Sequence, residues 1–357
     1  MRVAVIMSGG RGRRFWPLSR ATRAKQLIRL IDGKTLLEST LERIAPLFEP
    51  DHILIVTQEL QAEATSRAIE DFEGVRVLKE PVGRNTAACV AFASHYVREQ
   101  MGDAVLAFLP ADHVIGDIEG FRRVLSDGME FVERTGSLLT MGIKPGRPAT
   151  GFGYIKLGEA VGNTGGSEFY RVGEFVEKPS LEKAEEYLKA GDYMWNAGMF
   201  VFKASAILVE IGKFLPRMQS EFEKCQDAFG TSDLPARLAR CYSNIENISI
   251  DYGVMEKTDI ACVVPADFGW DDVGSWDSFA KYLKKDEAGN SVHGAHVAID
   301  TRNCIIYSDK RLVATVGLDD VTIVETDDAI LVMKRGSGEA VKTLTDLIEE
   351  KGFTDLL

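Results

Sequence analysis

Residues 3–17 read VAVIMSGGRGRRFWP: an apolar run from Val3 to Met7 breaks at Ser8 into a glycine-rich loop with Arg11, Arg13 and Arg14, then closes on Phe15, Trp16 and Pro17. A short unbroken apolar run of this kind reads as a β-strand. Gly9, Gly10 and Gly12 permit positive φ and close backbone approach, so successive N–H groups can face one concavity while the arginines match phosphate oxygens. The stretch predicts a strand feeding a polyphosphate loop, at the turn where open α/β sheets bind ligands. The alternative is a plain βα turn with solvated arginines.

Two common phosphate loops do not fit. A dinucleotide fingerprint needs a third glycine where Phe15 stands, which also disfavours a dehydrogenase. Gly33, Lys34 and Thr35 spell the end of a P-loop, but Ile28 replaces its first glycine, so they read as a turn before a helix.

Outward from the loop, His52 to Thr57, Val75 to Leu78 and Ala104 to Leu109 are short apolar runs. Helical patterns such as Thr35 to Leu47 and Thr86 to Gln100 separate them. That alternation predicts βαβ units and a mixed, mostly parallel sheet in the α/β class. Leu138 to Ile143, Gly153 to Leu157, Val172 to Glu177 and Met199 to Lys203 read as strands extending the same sheet on a substrate-binding side. After Lys285 the polar run Asp286 to Asn290 reads as a linker. Short strands follow at near-regular spacing: Val297 to Ile299, Cys304 to Tyr307, Leu312 to Val316, Val321 to Val324 and Ala329 to Met333. Such spacing predicts a β-solenoid or small sandwich, capped by a helix from Ser337 to Lys351. The expected division is a large domain over residues 1–285 and a small one over 286–357.

At 357 residues and 45% hydrophobic, the chain can bury a sizeable core. Its net charge of −12 argues against nucleic acid or an anionic membrane as main partner, so an anionic small molecule must be held by local basic clusters at Arg11 to Arg14 and Arg20 to Arg29. Cys89, Cys225, Cys241, Cys262 and Cys304 are odd in number and lack CxxC spacing, which predicts reduced thiols and a cytoplasmic protein. The N-terminal apolar run is too short for a signal-peptide core, and no stretch is long enough to span a bilayer. His293 and His296 form an HxxH without carboxylate or cysteine neighbours and read as surface histidines.

Asp112 lies in Pro110, Ala111, Asp112, His113, just past a predicted strand, where a carboxylate faces the ligand crevice or caps a helix. Trp270, Asp271, Asp272, Val273 and Gly274 set two carboxylates in a tight turn, which on its own is an Asx turn. Convergence of Asp112 with one of that pair would make a hard oxygen site suited to Mg²⁺ beside phosphate. Lys25 follows the loop, and Lys178 lies at a strand end in Val176, Glu177, Lys178, Pro179.

These residues fall into a series: Gly9 to Arg20, Lys25 with Gln26, EPVGRNTA (80–87), PADH (110–113), GFGYI (151–155), VEKP (176–179), WNAGMFVF (195–202), ISIDYGVMEK (248–257) and FGWDDVGSW (268–276). In order and across nearly the whole chain, the series resembles the mannose-1-phosphate guanylyltransferase family, the GDP-mannose pyrophosphorylases of the sugar nucleotidyltransferase group. The resemblance implies a Rossmann-like nucleotidyltransferase domain, a C-terminal left-handed β-helix, and the reaction of GTP with mannose 1-phosphate to give GDP-mannose and diphosphate. It implies that Ser8, Gly9, Gly10, Gly12 and Arg13 hold the triphosphate, with Arg14 and Lys25 as catalytic cations on the departing pyrophosphate. Asp112, also a nucleotide contact, and Asp272 match the metal-binding aspartates, with Mg²⁺ as cofactor. Gly153 and Glu177 match sugar-hydroxyl contacts and Lys178 a catalytic sugar-phosphate contact. Asn196 matches a position lining the sugar pocket, and Asp251 lies in the IDYGVME segment.

Guanine presents N1–H and a 2-amino group as adjacent donors, which one carboxylate can accept; Glu80 is the candidate, the alternative being a carboxylate that faces solvent. Arg84, Asn85 and Thr86 stand at a helix N-terminus suited to phosphate or ribose. Many members of the family carry a small or polar residue at the positions of Arg11 and Arg13, so GTP affinity here is expected to be more salt-sensitive. The sugar isomerase domain fused to some members is expected to be absent, and a homodimer is a possible assembly. Two other readings remain: a pyrophosphorylase for a manno-heptose or glucose 1-phosphate, and a sugar-nucleotide sensor without turnover.

Overall fold

The computed structural model describes residues 1–31 and 33–357. Its centre is a nine-stranded sheet of β1 (Arg2–Met7), β2 (Ile53–Gln58), β3 (Arg76–Glu80), β4 (Val105–Pro110), β5 (Leu138–Ile143), β6 (Tyr154–Thr164), β7 (Ser167–Val176), β8 (Tyr193–Lys203) and β9 (Ala261–Ala266), in the order β3-β2-β1-β4-β8-β5-β9-β7-β6. Pairing directions run seven strands one way, and only β7 and β8 the other. β1 is central, pairing in parallel with β2 and β4, and Val3 to Ile6 are completely buried. That two-sided burial is why Val3 to Met7 is apolar without alternation.

Helices cover both faces. Against one lie α1 (Leu36–Ile44), α2 (Glu59–Ala68), α4 (Ile118–Thr135) and α5 (Leu181–Ala190); against the other lie α3 (Asn85–Met101), α6 (Ala204–Phe214), α7 (Pro216–Glu223) and α8 (Leu234–Asn244). Helix starts follow local chemistry. Thr35 caps α1 in a reciprocal capping box with Glu38, so the turn at Gly33 leads through the short paired stretch Lys34–Thr35 into the helix. Asp117 caps α4 and Ser180 caps α5.

A register break between Asn196 and Phe200 interrupts the β5–β8 pairing, with Gly198 at φ 66° inside it. This bulge sits at the edge of the cleft described below, a common way to re-aim a side chain.

Beyond α9 (Trp276–Phe279) the chain forms stacked coils. β10 (Ser291–His293), β12 (Ile305–Ser308) and β14 (Val321–Glu325) pair in parallel, as do β11 (His296–Ile299) and β13 (Val313–Val316), and β15 (Ile330–Lys334) closes antiparallel on β14. This is a β-helix-like unit, with α10 (Ala340–Glu350) at its end. The expected linker Asp286 to Asn290 is instead a tight turn. Lys284 and Lys285 already pair with Val292 and Ser291, and the Asn290 amide reaches the Asp286 carboxylate at 2.9 Å. Asn290 is fully buried and also accepts from the Cys304 amide at 2.9 Å, stapling one coil to the next.

A third apolar cluster joins Phe15, Trp16 and Leu18 after the loop to Trp276 and Phe279 of α9, Ile305 and Tyr307 of β12, and Val341 of α10. The phosphate-loop region thereby shares a core with the C-terminal unit. All five cysteines are free and buried. Among the described residues no helix is long and apolar enough to cross a membrane. His293 stacks on Tyr307 and His296 bonds Thr315, so the HxxH pair does not converge.

Candidate active site

The carboxyl ends of β1, β2, β3 and β4 open onto a cavity of about 700 Å³, as expected for an open α/β sheet. Met7, Gln58, Glu80 and Pro110 end the four strands at its wall. A smaller cavity of about 370 Å³ adjoins it, lined by Arg11, Gly12, Arg13, Arg14, Lys25 and Lys342 among others. Arg11, Asp112, His113 and Asp272 line both, so the two form one cleft with an acidic pair at its waist.

Gly9 and Gly10 line the large cavity. A Cβ on Gly10 would meet nothing, so the backbone is open to an incoming group. Ser8 is different. It is buried, its backbone oxygen accepts from Gln26 and Thr57, and its hydroxyl accepts from Gln26 at 3.0 Å, so it anchors the loop rather than lining the cavity. Gly12 adopts φ 62°, and a Cβ there would stand 2.5 Å from the Lys25 Cβ; only glycine lets loop and lysine pack together.

The arginines divide. Arg11 lines both cavities. Arg13, expected on the triphosphate, lies outside the large cavity and is held by α10: its guanidinium donates to Thr345 Oγ1 at 2.8 Å, to the Lys342 carbonyl at 2.9 Å, and to the Asp346 carboxylate. Arg14 lines the small cavity and pairs with Glu339 at 2.8 Å. Oxygen acceptors just beyond the β-helix draw both side chains toward the C-terminal unit.

At the waist, Lys25 Nζ donates to Asp112 Oδ2 at 2.7 Å and to the Asp272 carbonyl at 2.6 Å, tying the two aspartate segments to one cation. Burial is the largest single influence on the Asp112 carboxyl and would raise it, but the charge and hydrogen bond of Lys25, with the His113 charge and a backbone hydrogen bond, together outweigh burial and hold Asp112 below the ordinary range. Asp272 is raised, first by burial and then by the charges of Asp271 and Asp112, with Lys25 opposing. Asp271 turns away to pair with Lys281 at 2.6 Å, so Asp272 is the member of the pair in the cleft. Val273 between Asp272 and Gly274 has φ 45°, a strained value for a β-branched residue. Beside them His113 is pushed down to about 4, chiefly by burial, and accepts from the Trp270 indole at Nδ1, 3.1 Å away.

At one end of the large cavity Glu80 is buried, at 4% exposure, which removes the solvent-facing reading. Burial pushes its carboxyl up to about 7, opposed by a hydrogen bond from the Tyr242 hydroxyl at 2.9 Å. Asn85 (φ 65°) and Thr86 line the cavity at the start of α3. Arg84 is set back, its Nε donating to the Tyr242 carbonyl at 2.8 Å.

At the other end Asn196, at the bulge, donates to Asp251 Oδ1 at 2.8 Å while Thr140 and the Gly198 amide donate to its side-chain oxygen. Burial, then the charge of Glu177, push Asp251 up to about 6. Any Cβ on Gly153 would collide with Glu177 Oε2, so that glycine gives the carboxylate its room. Lys178, at φ 49°, pairs with Glu177 Oε1 at 2.6 Å on the outer side of this cluster.

Residues 3–289 match the family model of nucleotidyl transferases, and residues 294–347 match that of the MannoseP isomerase/GMP-like beta-helix domain. This chain belongs to the nucleotidyl transferase family. The nucleotidyl transferase is 41% identical over 358 residues to the Xanthan biosynthesis protein XanB of Xanthomonas campestris pv. campestris, spanning 98% of this chain and 74% of that protein. It is 37% identical to a mannose-1-phosphate guanylyltransferase of Klebsiella pneumoniae, again over 98% and 74%. Among solved structures, one described as mannose-1-phosphate geranyltransferase from Thermus thermophilus superposes with a TM-score of 0.85 at 38% identity, covering 98% of this chain and 99% of that one.

Within this nucleotidyl transferase the cleft thus gathers Gly9, Gly10, Glu80, Asn85, Thr86, Asp112, Asp272, Gly153, Glu177, Asn196 and Asp251, with Gly12, Arg14 and Lys25 in the adjoining cavity. Ser8, Arg84 and Lys178 stand behind or beside it, and Arg13 reaches only the adjoining cavity, its guanidinium held by α10. Sequence reasoning missed Gln58, whose amide donates to the Gly9 carbonyl, and Tyr242. Gln58 carries a faint signal as the last residue of a predicted strand's βα turn. Tyr242 carries none, standing in an ordinary amphipathic helix 162 residues from its partner.

Proposed function

We propose that this nucleotidyl transferase is a mannose-1-phosphate guanylyltransferase, joining GTP and α-D-mannose 1-phosphate to give GDP-mannose and diphosphate. The observation that carries the reading is the single cleft whose two cavities meet at Arg11, Asp112 and Asp272, with an acceptor carboxylate, Glu80, at one end and the hydroxyl-binding set Glu177, Asn196 and Asp251 at the other. That is the layout two anionic substrates need if their phosphates are to meet at the waist. Relatives at 37–41% identity over nearly the whole chain support the same reading.

In this mechanism Gly9 and Gly10 admit the triphosphate close to the backbone, and Arg11, Arg14 and Lys25 neutralise the pyrophosphate as it leaves. Glu177, Asn196 and Asp251 fix the sugar hydroxyls, and Lys178 steadies the sugar phosphate from the rim. The sugar-phosphate oxygen attacks the α-phosphorus in line, the bond to the β-phosphate bridging oxygen breaks, and no protein nucleophile takes part. The Asp112 carboxylate, bonded to Lys25, and the Asp272 side chain, which lines the same cleft, are hard oxygen donors of the kind that fits Mg²⁺. Among the described residues no third carboxylate, histidine or cysteine joins them, leaving the remaining positions to substrate oxygens. Bound there, Mg²⁺ would supply charge neutralisation between the two phosphates. Five buried free cysteines support a reducing, cytoplasmic setting.

The test uses GTP labelled at the α-phosphorus with mannose 1-phosphate. The label is expected in GDP-mannose, with the other two phosphates released together as diphosphate. Label retained in GTP, or released as GMP, would contradict the assignment.

A further inference from the structure

Glu80 has one oxygen engaged from outside the cleft. Tyr242 of α8 is completely buried, does not line the cavity, and donates its hydroxyl to Glu80 Oε1 at 2.9 Å. Its ring is fixed by edge-on contacts with Phe92 of α3 and Phe222 of α7, at centroid distances of 6.5 and 5.8 Å. Its backbone carbonyl accepts from Arg84 Nε at 2.8 Å, so one residue braces both Glu80 and Arg84. The other carboxylate oxygen, Oε2, lies on the cavity side, 3.5 Å from where a Gly9 Cβ would stand.

Resting on the reading of Glu80 as the guanine contact, we propose that Tyr242 is a positioning residue for base selectivity: its hydroxyl occupies Oε1, aims Oε2 at the cleft, and holds Glu80 as an acceptor. Guanine's N1–H and 2-amino group are both donors, so they need an acceptor. A protonated carboxyl would set donor against donor. The groups around Glu80 are the Tyr242 phenol from α8 and the Cys89 thiol from α3, each pushed well above its ordinary value, first by burial and then by the charge of Glu80. Both stay neutral, and among the described residues burial and the Tyr242 bond are what set Glu80's ionisation. The phenol is therefore the group on the protein side that favours the carboxylate, and it is pinned by aromatic packing rather than by water.

The experiment compares Tyr242→Phe, Glu80→Gln and the double variant in the full chain, measuring kcat and KM for GTP and for ITP, which lacks the 2-amino donor, from acid to alkaline pH. Phenylalanine keeps the ring and its packing. Tyr242→Phe is expected to raise KM for GTP about tenfold, as for loss of a hydrogen bond to a charged group. Its effect on kcat should be smaller, the GTP-over-ITP ratio should fall, and the acid limb of kcat/KM should move to higher pH. The double variant is expected to match Glu80→Gln in base preference. If Glu80→Gln loses the preference while Tyr242→Phe alters GTP and ITP alike and leaves the acid limb in place, Tyr242 is only structural and the inference falls alone. If Glu80→Gln keeps the wild-type preference, the guanine reading of Glu80 falls and takes this inference with it.

Discussion

Lys25 is the residue that most changes how the cleft is understood, because one ammonium joins Asp112 to the Asp272 backbone and so carries charge balance and geometry together. Removing a group that balances phosphate charge at such a site costs about 3–4 kcal/mol of transition-state stabilisation. Asp112→Ala, which removes the carboxylate that fixes the Lys25 ammonium and would hold Mg²⁺, is expected to lose at least a hundredfold in turnover with its circular dichroism unchanged; an active, folded variant would remove Asp112 from the chemistry. Asp251 makes a separate prediction about stability. Its folded value, about 6, lies above the ordinary aspartate range, so its favourable contribution is complete only below that range and is lost as pH rises through about 6. Asp251→Asn should then gain about 3 kcal/mol of stability at neutral pH relative to wild type, with the gain shrinking toward acid. Denaturant midpoints across pH measure this, and a gain independent of pH would contradict it. The same substitution is expected to weaken mannose 1-phosphate binding, because stability and sugar recognition compete for one buried charge.

Elements divide by how locally they are determined. The first strand, the turn at Gly33 that leads into a helix, and the helix near Thr86 were legible because glycines and apolar runs act over a few residues; the capping box of Thr35 with Glu38 was not read. The bulge at Ala197 to Met199 was not, since a register break depends on what the neighbouring strand does. Nor were the arginines' partners: Arg13 meets Thr345 more than 300 residues away, a contact no local pattern encodes. The turn at Asp286 to Asn290 looked like a linker because polar, glycine-containing composition is shared by linkers and tight turns. The loop itself gives the element-scale prediction. Gly12→Ala combines a positive φ with a collision against Lys25, displacing the lysine from Asp112 by a fraction of an ångström or more. A shift of that size is expected to cost roughly a hundredfold in kcat/KM. Steady-state kinetics check it, and a variant within a factor of about three of wild type would show that loop and lysine are not coupled.

Over the whole molecule, the C-terminal unit is fastened to the active-site loop twice: through the arginines on α10, and through the cluster of Phe15, Trp16, Trp276, Phe279, Tyr307 and Val341. The indole of Trp16 adds a bond to the Leu356 carbonyl at 2.7 Å. A shared core of this kind makes the two parts unfold together. Urea unfolding followed by tryptophan fluorescence and by circular dichroism should give coincident transitions. Phe15→Ala, which empties a site buried to 1% exposure, should lower stability by about 3–5 kcal/mol. Two well-separated transitions in the wild-type chain would show that the coils and the nucleotidyl transferase fold are energetically independent, and would leave the arginine contacts as surface pairs.

All three scales converge on one reaction, and diphosphate release across a grid of nucleoside triphosphates and sugar 1-phosphates with Mg²⁺ tests it most directly. Release is expected with GTP and mannose 1-phosphate well above every other pair. Release only with a heptose or glucose 1-phosphate would overturn the sugar assignment, and no release with any pair would contradict the account and leave a sugar-nucleotide sensor in its place.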